Sequence, residues 1–175
     1  MVEGAGLAIA AFVEPARYEP ATYLTDRGLL ARLDGLQGIA RAAFAEFLAG
    51  NFKTHVAYVA PKARAAGCVA QPDDPAMIPY GRDVDFPQIA RSMVAGSPVL
   101  TARFDGLTLR FRLPPLATAI LSRIDGRQSL AGIHRALAET AAPGMGWDAF
   151  LAAFRPVYAA FNGINRMLLR AAAGG

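Results

Sequence analysis

Short apolar runs in the first half of the chain alternate with segments rich in proline and glycine. Residues 7–13 are apolar without strict alternation, which is typical of a strand buried on both faces of a sheet. Residues 54–60 alternate between their two faces and predict a second strand, which Pro61 ends. Helical spacing predicts short helices over about 21–34 and 39–50. The first half therefore predicts two strands separated by helices.

The stretch VLTARFDGLTLRFRL, residues 99–113, has the strongest local pattern in the chain. Asp105-Gly106 supplies the positive φ angles of a two-residue hairpin turn. That turn pairs Phe104 with Leu107 and sets the register of both strands. One face is then apolar and the other polar: Leu100, Ala102, Phe104, Leu107, Leu109, Phe111 and Leu113 on the first, and Arg103, Thr108, Arg110 and Arg112 on the second.

Helical patterns follow the hairpin. Residues 116–123 predict a helix that an Asp125-Gly126 turn ends. Ser129 is a suitable N-cap for the next helix, over 130–139. A last amphipathic helix is predicted from Trp147 to Arg170, and Pro156 must kink or split it because proline removes one backbone bond and clashes one turn back.

Composition narrows the class of protein. The 175 residues are 54% apolar and 18% charged, which allows a sizeable core. No apolar run reaches the roughly 18 residues of a membrane helix. The first apolar run is short and lacks a preceding lysine or arginine, which argues against a signal peptide. We therefore expect a cytoplasmic protein with no membrane partner.

Cysteine, histidine and charge exclude several chemistries. Cys68 is the only cysteine, so no internal disulfide can form, and the two histidines, His55 and His134, are far apart in sequence. No metal site is therefore predicted. The net charge of +4 comes from scattered arginines rather than from one concentrated stripe, which favours a solvated basic surface over a nucleic-acid interface.

Candidate chemistry is sparse. The chain has no G-x-G-x-x-G, P-loop, G-x-S-x-G or H-E-x-x-H pattern, so no residue is assigned to cofactor binding. His55 is the one candidate for acid–base catalysis, since imidazole titrates near neutral pH. Tyr18, Tyr23 and Tyr58 are candidates for lining a substrate pocket. The alternative for all four is a role in packing.

Residues 98–170 resemble a known family. FDGLTLRFRLPPLATAILSRIDGRQSLAGIHRAL is similar to the PqqD-like winged-helix domain. The peptide chaperone of pyrroloquinoline-quinone synthesis shares this domain with accessory domains of some bacterial methyltransferases. The matching features are the hairpin, the apolar AILSRIDG segment and the helix beginning after Ser129. The resemblance implies a winged-helix-like domain made of a β-hairpin and three helices.

Residues 4–60 carry a second resemblance. GLAIAAFVEPARYEPATYL, followed by AFAEFLAGNFKTHVAYV, is similar to the final part of a class I S-adenosylmethionine-dependent methyltransferase. In that fold the last two strands pair antiparallel at the sheet edge. The resemblance implies that 7–13 and 54–60 are those strands and that 16–52 is an insertion between them. It transfers no catalytic residue of the family to this chain.

The two resemblances imply an α+β protein in three parts. Residues 1–60 form the remnant of the C-terminal end of a methyltransferase domain, 61–97 a linker, and 98–170 the accessory domain. The half that binds S-adenosylmethionine is expected before residue 1 or in a separate subunit. The chain alone is then a regulatory portion, inactive without that half.

Two other functions remain open. A free-standing module could bind a peptide or protein by adding a strand to the hairpin, which requires that the edge at Val99 to Arg103 is uncovered. A DNA-binding protein would place the helix after Ser129 in the major groove, with Arg110 and Arg112 on phosphates. Gln128, His134 and Arg135 offer few groups for base recognition, which argues against nucleic acid as a partner.

Overall fold

Residues 3–50, 52–69, 71–94, 98–104 and 107–172 are described by the structure, a computed structural model. Within these ranges, six α-helices and three two-stranded antiparallel sheets form a mixed α+β fold, which confirms the predicted class at that level. The chain divides into two compact units, Met1–Val69 and Ala70–Gly175. None of the described helices is long and apolar enough to cross a membrane.

An antiparallel ribbon organises the first unit. Strand β1 (Leu7–Phe12) pairs with β2 (Ala57–Pro61), and a shift in register next to Ala10 marks a β-bulge. The prediction that the first strand is buried on both faces is wrong, because β1 has one strand partner and its side chains are only partly covered. The second strand begins three residues later than predicted, so His55 lies before the strand and not in it.

Two helices and short 3₁₀ turns connect these strands. Helix α1 (Arg27–Arg32) begins after Asp26, whose carboxylate accepts a hydrogen bond from the Leu29 amide at 3.0 Å. Helix α2 (Gly38–Ala49) ends at Gly50, where φ is +67°. Because few side chains adopt that angle without strain, glycine is suited to this position.

The core of the first unit is small. Its buried side chains are Tyr18, Pro20, Ala42, Ala45 and Ala60. Helix α2 buries Ala42 and Ala45, whereas Ile39 is 61% exposed and Phe47 is 81% exposed. Ile39 and Phe47 therefore lie on the open side of the helix, where an amphipathic helix ordinarily carries polar residues.

In the second unit, strand β3 (Ile78–Gly81) and helix α3 (Phe86–Ser92) lie within residues 61–97, which were predicted as a linker. Phe86 is buried against Phe161 at a ring distance of 5.1 Å. The carbonyl of Met77 accepts a hydrogen bond from the Leu130 amide at 2.8 Å. Residues 71–94 are therefore an ordered part of the second unit.

The hairpin has the predicted register. Strand β4 (Val99–Phe104) pairs with β5 (Leu107–Arg112), placing Ala102 opposite Leu109 and Leu100 opposite Phe111. Leu109 is buried, whereas the side chains of the polar face are exposed, namely Thr101, Arg103, Thr108, Arg110 and Arg112. The predicted Asp105-Gly106 turn lies outside the described residues.

Helix α4 (Ala117–Leu121) and α5 (Leu130–Thr140) are joined by the predicted turn. Asp125 Oδ1 accepts from the amides of Arg127 and Gln128 at 2.8 and 3.1 Å. Burial opposes ionisation of Asp125, but these amides outweigh it and hold its pKa below the usual value. Ser129 is the N-cap of α5, as predicted, and its hydroxyl accepts from the Gly132 amide at 3.2 Å.

The predicted helix over 147–170 is wrong at its C-terminal end. Helix α6 (Trp147–Gly163) runs through Pro156 without being split, and β6 (Met167–Arg170) then pairs with β3. Asn165 reverses the chain with φ at +56°, and the Asn162 side chain donates to the Met167 carbonyl at 3.0 Å. Polar side chains that bond locally favour a turn here over more helix.

We expect Ser129→Ala to lower the free energy of unfolding by about 1 kcal/mol, since it leaves an amide of α5 without its cap. Ser122→Ala is the matched control, because the Ser122 hydroxyl is exposed and donates to the Ala119 carbonyl rather than capping a helix start. Chemical denaturation of both variants measures the difference. Equal losses would contradict the assigned cap.

Candidate functional site

Tyr18 and His55 meet in the first unit, although 37 residues separate them in sequence. The Tyr18 hydroxyl oxygen lies 3.3 Å from Nδ1 of His55. Tyr18 ends the 3₁₀ turn Pro15–Tyr18, and its ring stacks on Phe12 of β1 at 4.1 Å between centroids. Only 8% of Tyr18 is exposed, so its position is fixed by packing.

Glu46 of α2 completes a chain of polar contacts. Its Oε1 lies 3.3 Å from Nε2 of His55, on the opposite side of the imidazole from Tyr18. A carboxylate only accepts hydrogen bonds, so a neutral His55 carries its proton on Nε2 and donates to Glu46. Nδ1 is then the acceptor for the Tyr18 hydroxyl. The order Tyr18–His55–Glu46 uses both nitrogens of the ring.

The polar chain runs from a buried end to an open one. The side chains of His55 and Glu46 are 46% and 43% exposed, so water screens their interaction. Burial raises the pKa of Tyr18, and the charge of Glu46 adds to that rise. Arg17 and the Val56 amide act in the opposite direction. The phenol is therefore held neutral well into the alkaline range.

A groove of about 220 Å³ opens beside this chain. Its lining joins an aromatic wall, a helical wall and a polar end, formed by Phe12, Tyr18, Ile39, Ala42, Ala43, Glu46 and His55. The alanines of α2 leave space that longer side chains would fill. Most ligand sites for drug-sized molecules are larger, about 300–1,000 Å³, so this groove suits a smaller molecule.

Surrounding residues hold the groove in shape. Phe52 contacts both Tyr18 and His55, at 5.3 and 6.0 Å between centroids, and Arg17 lies 4.7 Å above the Phe52 ring. Arg41 of α2 donates to the Glu19 carboxylate, with Nε at 2.9 Å from Oε2. That hydrogen bond lowers the pKa of Glu19. The Arg17–Phe52 contact and the Arg41–Glu19 hydrogen bond thus hold the 3₁₀ turns after β1 against Phe52 and α2.

The other two predicted pocket residues lie elsewhere. The Tyr23 hydroxyl donates to the Arg17 carbonyl at 2.9 Å, and Tyr58 lies in β2 opposite Ala11. Neither residue lines the groove. Of the four predicted residues, His55 and Tyr18 therefore lie at the groove, and Tyr23 and Tyr58 lie outside it.

Sequence reasoning missed Glu46 and Phe12. Glu46 is the only acidic residue of α2, and it lies on an otherwise apolar and basic helix. An isolated carboxylate in that setting was the available signal. Phe12 carried none, because its role depends on the turn that folds Tyr18 back over β1.

The arrangement can bind a polar group and exchange a proton. The Tyr18 hydroxyl lines the groove and can pass a proton to Nδ1 of His55, and Glu46 supports the imidazolium that would form. In the described part of the chain, no group of three or more His, Cys, Asp or Glu side chains could hold a metal ion. No family model matches the chain, and no curated protein matches it.

We expect Glu46→Gln to lower the pKa of Tyr18, since the Glu46 charge disfavours the phenolate. Ultraviolet titration of the phenolate, with the Tyr18→Phe spectrum subtracted, measures that pKa. Because the folded pKa is raised, stability should fall as the pH rises from about 10, the ordinary tyrosine value, through the folded value. Asp34→Asn is the control and should leave Tyr18 unchanged. A rise in the Tyr18 pKa would contradict the geometry.

Proposed function

We propose that this chain is the C-terminal accessory or regulatory portion of a bacterial S-adenosylmethionine-dependent methyltransferase. It acts with a cofactor-binding catalytic half, joined in cis or supplied in trans. The first unit ends the methyltransferase sheet, and the second unit is a PqqD-like winged-helix domain. S-adenosylmethionine belongs to the complete enzyme, and this chain assigns no residue to it.

The observation that carries this proposal is the antiparallel ribbon of β1 and β2. It pairs the two segments that the methyltransferase resemblance treats as final strands, with the helical insertion between them. A two-stranded ribbon is marginally stable alone. No backbone hydrogen bond among the described residues joins Ala57 or Val59 to a further element, and Val59 is half-exposed. These features fit a ribbon that continues a larger sheet.

The order of elements in the second unit also supports the proposal. Its hairpin precedes three helices, in the order that the winged-helix resemblance implies. The turn at Asp125 and the cap at Ser129 lie within the segment that carries this resemblance. The sheet formed by β3 and β6 is an element that the resemblance did not imply.

Within the complete enzyme, the groove of the first unit receives the methyl acceptor. The Tyr18 hydroxyl takes the proton that the acceptor loses and passes its own proton to Nδ1 of His55, and Glu46 stabilises the imidazolium that forms. Phe12 and Tyr18 supply an apolar wall against which the acceptor packs.

Calorimetry with S-adenosylmethionine tests whether the cofactor is bound by the other half of the enzyme and not by this chain. The isolated chain should show no micromolar binding, because it lacks a glycine-rich cofactor loop. Sequencing the DNA around the Met1 codon should identify the other half, as an upstream frame or a separate gene encoding a strand, such a loop and a helix. Micromolar binding by this chain alone would contradict the proposal.

Once that half is joined to the chain, His55→Gln should lower methyl transfer at least about 100-fold. His134→Gln is the matched control. His134 bonds the Met145 carbonyl in the second unit, so its replacement tests a general effect of losing a histidine. Unchanged turnover in His55→Gln would remove His55 from the mechanism.

Peptide binding by the hairpin is a second candidate, favoured by the exposed edge of β4. Hydrogen-bonded and non-hydrogen-bonded residue pairs alternate along an antiparallel ladder. The Leu113 amide donates to the Pro98 carbonyl, so Pro98 and Leu113 form a hydrogen-bonded pair. Thr101, three positions along β4, is then in a non-hydrogen-bonded pair, and its backbone groups point away from β5. No backbone hydrogen bond among the described residues joins Val99, Thr101 or Arg103 to another element. The edge can therefore accept an added strand.

Thr101→Pro should abolish binding of peptides selected on the wild-type protein from a random library, because it removes an outward-pointing donor. Thr101→Val keeps that donor and should preserve binding. Fluorescence polarisation with labelled peptides compares the two variants. Equal affinities, or a library that yields no binder, would contradict this second function.

A further inference from the structure

The groove of the first unit has a defined polarity. Its aromatic and alanine walls are apolar, and its polar end consists of Glu46 and His55. The seven lining residues include no lysine or arginine. A ligand that extends to the polar end therefore meets a negative charge with no cation among the lining side chains.

Hydrogen bonding at the polar end favours a donor on the ligand. Both nitrogens of a neutral His55 are engaged, one with the Tyr18 hydroxyl and the other with Glu46 Oε1. The Glu46 carboxylate keeps further lone pairs as acceptors, and 43% of the side chain is open to solvent. An ammonium group supplies the donors and the charge that this end accepts.

Size restricts the apolar part of the ligand. About 220 Å³ is below the usual range for drug-sized ligands, and the walls are two aromatic rings facing small aliphatic side chains. One ring with a short chain can pack against Phe12 and Tyr18 and still place its end group near Glu46. Aromatic faces also attract a nearby cation.

We propose that this groove binds a protonated arylalkylamine with a single ring. The ring packs between Phe12, Tyr18 and the alanines of α2, and the ammonium group donates to Glu46. Binding requires only the first unit. The further role of such an amine as a methyl acceptor rests on the proposed function.

Isothermal titration of the full chain at neutral pH tests this binding with three probes of similar size. These are 2-phenylethylamine, 2-phenylethanol and 3-phenylpropanoate, which differ in the charge of the end group. The amine should bind about fivefold more tightly than the alcohol, the size expected for a half-exposed ion pair. The carboxylate should bind most weakly. Equal affinities for amine and carboxylate, or no binding of the amine, would overturn the proposal.

Variants locate the site. Glu46→Gln keeps an acceptor oxygen but removes the charge, so it should weaken the amine more than the alcohol and bring their affinities together, whereas Asp34→Asn should change neither. Ala43→Phe should fill the groove and abolish all binding. Ile39→Arg places a cation at a position that is 61% exposed, where the fold tolerates it, and should reverse the preference toward the carboxylate. Amine binding that survives Ala43→Phe, or an unchanged preference for the amine over the carboxylate in Ile39→Arg, would overturn the proposed location.

These outcomes are separate from those of the methyltransferase proposal. Amine binding without a cofactor-binding half in the genome would support the amine-binding groove and contradict the methyltransferase proposal. Methyl transfer without amine binding would support the methyltransferase proposal and show that an amine is not the ligand of this groove.

Discussion

Phe150, Phe154 and Phe161 recur at helical spacing along α6, and all three are essentially without solvent exposure. Full burial of such a ring is worth about 1.5–3 kcal/mol relative to exposure. α3, α4, α5 and β6 all contribute buried residues to the cluster that these rings join. The second unit therefore depends on one aromatic stripe, around which its other elements are arranged.

This dependence explains the position of His134. Its Nε2 lies 2.7 Å from the Met145 carbonyl, and its ring packs edge-on against Trp147 at 5.4 Å. The histidine thus joins α5 to the start of α6. The Asp125 turn, the Ser129 cap and this packing together fix the path of the chain from α4 to α6.

Local patterns predicted local structure well. The hairpin register follows from alternation between Leu100 and Phe111, and the start of α5 follows from a hydroxyl at Ser129. The end of α6 could not be predicted in this way, because β6 forms only through pairing with β3, about 90 residues earlier in the chain. The spacing of Ile164 and Leu168 continued a helical pattern that long-range pairing overrides.

The candidate site shows the same limit. His55 and Tyr18 were identified by residue type, but their contact requires a turn at Pro15 and the return of the chain through α2. Glu46 enters the site because α2 packs through Ala42 and Ala45 and places the carboxylate beside the imidazole. No spacing rule in the sequence relates these three residues.

The two units differ in what their residues are used for. The second unit fully buries Phe86, Phe150, Phe154 and Phe161, whereas the first unit buries Tyr18 and three alanines and leaves Ile39, Phe47 and Val59 at the surface. Larger residues at Ala42 or Ala43 would fill the groove and cover more apolar surface, so the open groove has a cost in burial. A ligand in the groove and a partner sheet along the ribbon would each restore part of that burial.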